Sequence, residues 1–276
     1  MTMLLPETFQ FSQNTLQDFV DCPRRFELRW VLMQPWPALI TGRPIELEQH
    51  MRRGSALHHL AHQAALGLDP EQLAAAIHDP VLAGWWQTFR DYPPPHLPGT
   101  IRQAEITVSA PLSGHRLLAK YDLLAVEPGE RLVIVDWKGV HKPPSRAALA
   151  RRLQTRVYRF LAVKAGAGFN AGRRLEPAQV EMVYWFAARE GQVQRFPYDA
   201  QQYVADAEYL SGLISDISRR QEPGWPLAED ERRCRFCNYR SFCDREVGPG
   251  FLEDLEDDIE EEELDIDLEQ IAEIEF

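Results

Sequence analysis

All four cysteines of the chain fall into one arrangement, with Cys22 alone near the start and Cys234-x2-Cys237-x5-Cys243 near the end. Anything that joins them closes a loop of about 210 residues, and closing a long loop restricts the unfolded chain most. Core cysteines have no reason to recur at such close spacing among Arg232, Arg233, Arg235, Asn238 and Arg240. Two disulfides would tie the same ends together. However, Met1–Phe11 lacks the charged segment and apolar run of an export signal, and in a reducing compartment clustered cysteines bind metal more often than they pair. Four thiolates suit tetrahedral zinc and an iron-sulfur cube equally well in number, and spacing alone does not separate the two.

The charge is segregated as sharply as the cysteines. The 276 residues carry a formal charge of -12, yet residues 253 to 276 hold 14 acids and no base, leaving 28 acids against 30 bases in the body. That acidic stretch, Glu and Asp interleaved with Leu, Ile and Phe from about residue 249, reads as a disordered tail that solubilises the chain or competes for a basic face. From Trp137 to Leu175 there is no acid at all, while Lys138, Lys142, Arg146, Arg151, Arg152, Arg156, Arg159, Lys164, Arg173 and Arg174 supply ten positive charges. A polyanion is the natural partner for such a run, since solvated helix faces usually mix both signs. No stretch approaches the roughly 18 apolar residues of a membrane helix, so no membrane partner and a cytoplasmic location are expected.

Periodicity gives an organisation in which helices precede strands. Ser12 caps a helix to about Val20, Pro23 opens another, and a helical pattern runs from Gly54 through Leu66. Asp69-Pro70 and Asp79-Pro80 each read as a cap followed by proline. The segment from Tyr92 to Gly99 cannot continue a helix, and after it the period becomes extended. Ile101–Ala110, Arg116–Val126 and Arg131–Lys138 read as an antiparallel meander broken at Ser113-Gly114 and Pro128-Gly129. A long helix from Ser145 to about Ala165, a strand over Val180–Phe186 and a helix over Asp199–Arg219 follow. The core order is α-β-β-β-α-β.

The third strand is apolar until it delivers Asp136 and Lys138, two apart and therefore on one face. Asp122 ends a similar apolar approach on the neighbouring strand. Two carboxylates converging at a sheet edge repel unless a cation lies between them, and a hard ion such as Mg²⁺ would satisfy them. Such an ion activates water for attack at phosphorus, and Lys138 could neutralise the developing charge. Gln154 and Tyr158 share one helix face, and Gly54-x3-His58 places an imidazole on the early helix.

Together these residues resemble the iron-sulfur members of the RecB-like branch of the PD-(D/E)XK nucleases, which include AddB-type nuclease domains and CRISPR-associated exonucleases. The resemblance spans roughly residues 12 to 245 and rests on Cys22-Pro23, Gly54-x3-His58, Asp122, Asp136-Trp137-Lys138, Gln154-x3-Tyr158 and the three late cysteines. It implies an α/β, restriction-endonuclease-like core with a helical iron-sulfur subdomain. The expected divisions are residues 1–50 for the N-terminal helical part, 51–222 for the nuclease core, 223–248 for the cysteine cluster and 249–276 for the tail. It implies a 4Fe-4S cluster on Cys22, Cys234, Cys237 and Cys243, and a Mg²⁺ or Mn²⁺ ion on His58, Asp122, Asp136 and the Trp137 carbonyl. Lys138 becomes the catalytic lysine, with Gln154 and Tyr158 positioning it and the DNA strand. Glu105 matches an acid often found on the first strand of this branch, whereas Ala119 stands where relatives commonly have glycine.

The expected activity is metal-dependent hydrolysis of DNA phosphodiesters, preferentially at single-stranded ends, in repair and recombination or in CRISPR adaptation. A helicase or a CRISPR integrase would act in trans, since no G-x-x-x-x-G-K-[ST] loop occurs. His58 and His62 do not make a zinc protease, because His59 stands where that motif needs a glutamate. The rival reading is a non-catalytic module that binds DNA or protein through a zinc or iron-sulfur site and the basic helix.

Overall fold

The computed structural model describes residues 5–6, 8–35, 44–140, 143–187, 191–220 and 222–248. The acidic tail expected at 249–276 and Lys142 lie outside these residues. The helices begin where their caps dictate. Ser12 opens α1 (Gln13–Asp21) with a reciprocal cap: Thr15 N donates to Ser12 Oγ at 3.3 Å and Ser12 N donates to Thr15 Oγ1 at 2.9 Å. α2 (Pro23–Phe26) starts at its proline and runs on as a wider turn over Glu27–Val31. α3 (Pro44–Ala65) begins earlier than the pattern after Gly54 indicates. Asp69 and Asp79 cap α4 (Pro70–Ala75) and α5 (Pro80–Asp91), each with proline at the first helical position.

The meander is β2 (Ile101–Leu112), β3 (His115–Glu127) and β4 (Arg131–Lys138). Its first turn is a two-residue hairpin in which Ser113 and Gly114 take φ of 49° and 82°, the left-handed pair whose twist suits the strands. The single long helix expected after Ser145 is instead two, α6 (Arg146–Arg151) and α7 (Leu153–Ala165). Arg152 leaves the helical region at ψ 137°, and Thr155 Oγ1 donates to the Leu149 carbonyl at 2.5 Å. β5 (Val180–Phe186) and α8 (Ala200–Arg219) follow the sequence pattern. Two strands carry too little periodic signal to be read in advance: β1 (Gln10–Phe11), only two residues long, and β6 (Gln192–Pro197).

One sheet runs in the order β1-β3-β4-β5-β6, with β2 also paired to β3. β3 is antiparallel to both β2 and β4, β4 and β5 are parallel across the α6–α7 crossover, and β1 lies parallel to β3. Alternation along β4 divides the interior. Leu132 and Ile134 join a core with residues of α1, α7 and α8, whereas Val133, Val135 and Trp137 join a second core with residues of α3 and α5. In that second core Phe89 packs edge-on against Trp137 and Trp185, at 5.0 and 5.7 Å between centroids. The α-β-β-β-α-β order thus forms a helix, sheet, helix sandwich, and none of the described helices is long and apolar enough to cross a membrane.

The two ends of the chain meet through polar contacts. Glu27, 1% exposed, accepts from Gly224 N at 2.7 Å and Trp225 N at 2.9 Å and pairs with Arg24. Phe26 stacks on Trp225, Arg233 pairs with Asp21, and Tyr239 Oη donates to the Gln34 carbonyl. These contacts place Cys22 beside the late cysteines.

The ten-charge run does not form one basic face. Lys138 and Arg159 are buried, Arg159 donating to the Thr155 and Pro197 carbonyls while stacking over Tyr198. Arg156 pairs with Asp206 and Arg146 lies over Phe196. These contacts engage four of the ten charges, Arg156 meeting an acid that α8 supplies, while Arg151, Arg173 and Arg174 stay exposed.

Candidate active site

The registers of the meander bring the acids together. Ala104 pairs with Leu123 and Ile106 with Tyr121, so Glu105 and Asp122 stand directly opposite each other. Like charges so placed destabilise a ladder, and the strands are correspondingly irregular there. Glu105 takes a φ of 54° inside β2. Along β3, Leu117, Ala119 and Tyr121 face the α7 core and so do Leu124 and Val126, so the alternation slips by one residue around Asp122. A left-handed non-glycine residue costs about 1–3 kcal/mol, a cost that clusters at functional sites. On the other edge, the β3–β4 ladder ends at Leu123↔Val135, one step before Asp122 would pair with Asp136. In place of a ladder bond, Trp137 N donates to Asp122 Oδ2 at 2.8 Å.

α3 crosses this fork and brings His58 Nδ1 to 3.2 Å from Asp122 Oδ1. Among the described residues, His58, Glu105 and Asp122 form the one set of three histidine, cysteine or acid donors whose ligand atoms all lie within 4.8 Å of one another. Lys120 pairs with Glu105 at the rim. Asp136 is 1% exposed and belongs to the same cavity but not to that closed set. Gln154 Nε2 donates to its Oδ1 at 2.7 Å, and Lys138 Nζ lies 3.2 Å from its Oδ2. Tyr184 Oη donates in turn to Gln154 Oε1 at 3.3 Å.

Tyr158 sits between these groups. Its hydroxyl donates to the Lys120 carbonyl at 2.7 Å and accepts from Gln13 Nε2 at 3.3 Å. Burial, reinforced by the charges of Asp136 and Asp122, pushes its pKa well above the usual tyrosine value, so it remains a neutral donor. A cavity of about 450 Å³ opens over the group, lined by Gln13, Asn14, Ser55, His58, Asp122 and Asp136 among others. The sequence-derived residues His58, Asp122, Asp136, Gln154 and Tyr158 all line it. Lys138 lies beside Asp136, and the Trp137 indole turns into the opposite core. His59 and His62 also line the cavity.

This fork, with a D-x-K triplet on its inner strand, matches a known family over most of the chain: the family model of the PD-(D/E)XK nuclease superfamily covers residues 10–244. The chain belongs to this superfamily. Its mixed sheet with flanking helices is the restriction-endonuclease-like fold of the PD-(D/E)XK nucleases. Similar solved structures include SSO0001, at 12% identity and TM-score 0.45 over 86% of this chain and 87% of that one. Another is a provisionally assigned exonuclease from Eubacterium rectale, at 10% identity and TM-score 0.47 over 89% and 92%. Likeness at that level carries nothing about activity. No curated protein matches the sequence.

Within this PD-(D/E)XK chain the residue least legible beforehand is Glu105, which stands in the closed donor set although the sequence alone gave it no firm role. The signal was present: a two-residue turn at Ser113-Gly114 fixes the register that sets Glu105 against Asp122. The cysteines form a different centre. Cys22, Cys234, Cys237 and Cys243 line one cavity of about 20 Å³ with Arg25 and Tyr239, but no three of the sulfurs close to within 4.8 Å. Burial pushes the Cys237 thiol up to about 11 against the pull of Arg25, and burial likewise raises Cys234 and Cys243.

Proposed function

We propose that this PD-(D/E)XK nuclease hydrolyses DNA phosphodiesters at the cleft above β3 and β4, and that it acts on single-stranded ends. The observation that carries the reading is the convergence of Asp122, Asp136 and His58 from two strands and a helix on one polar cavity, with Lys138 paired to Asp136 behind it. The imidazole and two facing carboxylates of His58, Glu105 and Asp122 are a hard oxygen and nitrogen donor set, which suits Mg²⁺ or Mn²⁺. In this reading Asp136 and the Trp137 carbonyl complete the ligands. A divalent ion bound there supplies Lewis-acid stabilisation of phosphate charge and lowers the pKa of a bound water.

The chain's own residues do the positioning. Gln154 and Lys138 fix both oxygens of Asp136. The Lys138 ammonium provides fixed positive charge where the phosphate oxygens become more negative, in a site whose dipoles need no rearrangement. Tyr158, kept neutral, donates its one proton to the Lys120 carbonyl and so fixes β3 two residues before Asp122.

The four thiols are the proposed ligands of a 4Fe-4S cluster. All four line one cavity with Arg25, and a group held there would tie Cys22 to the late cysteines. The raised pKa values of Cys234, Cys237 and Cys243 mean that ligation by them releases protons, so loading should improve with alkalinity.

The test is cleavage of end-labelled single- and double-stranded oligonucleotides with Mn²⁺, comparing wild type with Asp122→Asn and with Lys138→Met. Loss of cleavage in both, with unchanged melting for Asp122→Asn, supports the reading. Cleavage that persists in both overturns it. Anaerobic protein that binds zinc and lacks absorbance near 400 nm would replace the cluster assignment but leave the nuclease assignment standing.

A further inference from the structure

One wall of the cleft has no role in the chemistry above. Gln13 and Asn14, the first two residues of α1, both line the cavity, opposite Ser55 and His58 of α3. Asn14 is 9% exposed, and its side chain makes no hydrogen bond, ion pair or ring contact. Its unpartnered amide atoms are not sealed in the interior but open on the cavity. Beside it, Gln13 Oε1 is a buried polar atom without a protein partner, while its Nε2 reaches Tyr158.

The position of these groups indicates what they would bind. The Ser12 cap occupies Thr15 N and the helix interior begins at Leu16 N, so the amides of the first turn keep their positive end toward the cleft. A helix N-terminus with an unpartnered amide donor suits an anion. We propose that Asn14, with the first turn of α1, holds a backbone phosphate of the nucleic-acid strand next to the phosphodiester being cut. This inference rests on the nuclease reading and adds a subsite to it. Asn14 would set which linkage lies over Asp122 and Asp136, which makes it a positioning residue. Through Gln13 and Tyr158, the same turn connects to the acids.

The experiment measures binding of a fluorescent single-stranded oligonucleotide in Ca²⁺, together with cleavage in Mn²⁺, for wild type, Asn14→Ala and Asn14→Asp. Aspartate near a helix N-terminus stabilises the helix and repels phosphate, so Asn14→Asp should melt no lower than wild type yet bind at least about tenfold more weakly. Asn14→Ala should weaken binding about tenfold, with the loss in KM rather than kcat. A set of oligonucleotides, each with one neutral methylphosphonate, locates the contact. One position should weaken wild type by a similar factor and leave Asn14→Ala unaffected. If wild type binds but Asn14→Asp binds equally well, or if the loss follows base identity and not the methylphosphonate, this inference is overturned while the nuclease reading stands. If wild type neither binds nor cuts any strand, both fall.

Discussion

The acid cleft and the cysteine pocket both gather ionisable side chains from distant parts of the chain, but they solve the problem of holding them in opposite ways. In the cleft, hard donors are pressed together by sheet register: Glu105 faces Asp122 across a ladder, and His58 closes the set to within 4.8 Å. The cavity above is open enough for a strand, and its carboxylates repel unless a cation joins them. In the pocket, soft donors line a cavity of about 20 Å³. Neighbouring polar contacts hold its walls: Glu27 accepts from the Gly224 and Trp225 amides, and Asp21 pairs with Arg233. A site meant to exchange metal, water and substrate needs access and tolerates strain, whereas a site meant to lock two chain ends needs closure.

The largest expected effect separates roles within the cleft. Asp136→Ala leaves the Lys138 ammonium buried without its carboxylate, which costs about 3–5 kcal/mol, and should also lower cleavage at least about a hundredfold. Asp122→Asn should lower cleavage comparably while melting at or above the wild-type temperature without metal, because it relieves the repulsion with Glu105. Equal thermal losses in the two variants would break the distinction between a buried anchor and an open ligand.

Next comes the pocket. Glu27→Ala strands the buried Trp225 amide and removes the acceptor of Gly224 N, and should cost about 1–3 kcal/mol for the unsatisfied donor. Amide exchange should accelerate at Gly224 and Trp225 while the cleft residues keep their protection. Exchange that rises everywhere would mean that the terminal clamp and the nuclease core unfold as one unit.

A smaller effect runs in the opposite direction. Glu105→Gly removes the left-handed strain at φ 54° and should raise stability by about 1 kcal/mol, while Mn²⁺ affinity measured by calorimetry falls. Unchanged Mn²⁺ affinity would remove Glu105 from the ligand set. The smallest effect is a pH dependence on the wall that carries His58. Asp79 caps α5 through Leu82 N and Val81 N and pairs with Arg53 of α3, and these contacts hold its carboxyl below the usual range. A depressed folded pKa contributes stability above the unfolded value that is lost as pH falls through the folded one. Asp79→Asn should therefore lower stability slightly at neutral pH, where the charged carboxylate contributes, and flatten the acid limb of the stability curve below about pH 4, where the two proteins converge.

Much of this was legible because it is local. The caps at Ser12, Asp79 and Asp199, the turn at Ser113-Gly114 and the alternation of β4 each depend on a few neighbouring residues. They fix where elements start and that Asp136 and Lys138 share a face. The same hairpin register already set Glu105 against Asp122. The two-residue β1, the break at Arg152 and the fate of the basic run were not legible, because each depends on what another segment supplies.

The amino-acid order alone therefore determined the α-β-β-β-α-β core, the pairing of acids across the meander and the single cysteine set that draws the chain ends together. Only the tertiary structure decided that Glu105 closes the donor set with His58 and Asp122, that Gln154 and Lys138 hold Asp136, and that Asn14 is left buried without a partner beside them. Turn and period signals act over a few residues along the backbone, whereas the distances between donors are set by how α1, α3 and α7 pack on the sheet, and that packing depends on side chains far away in sequence.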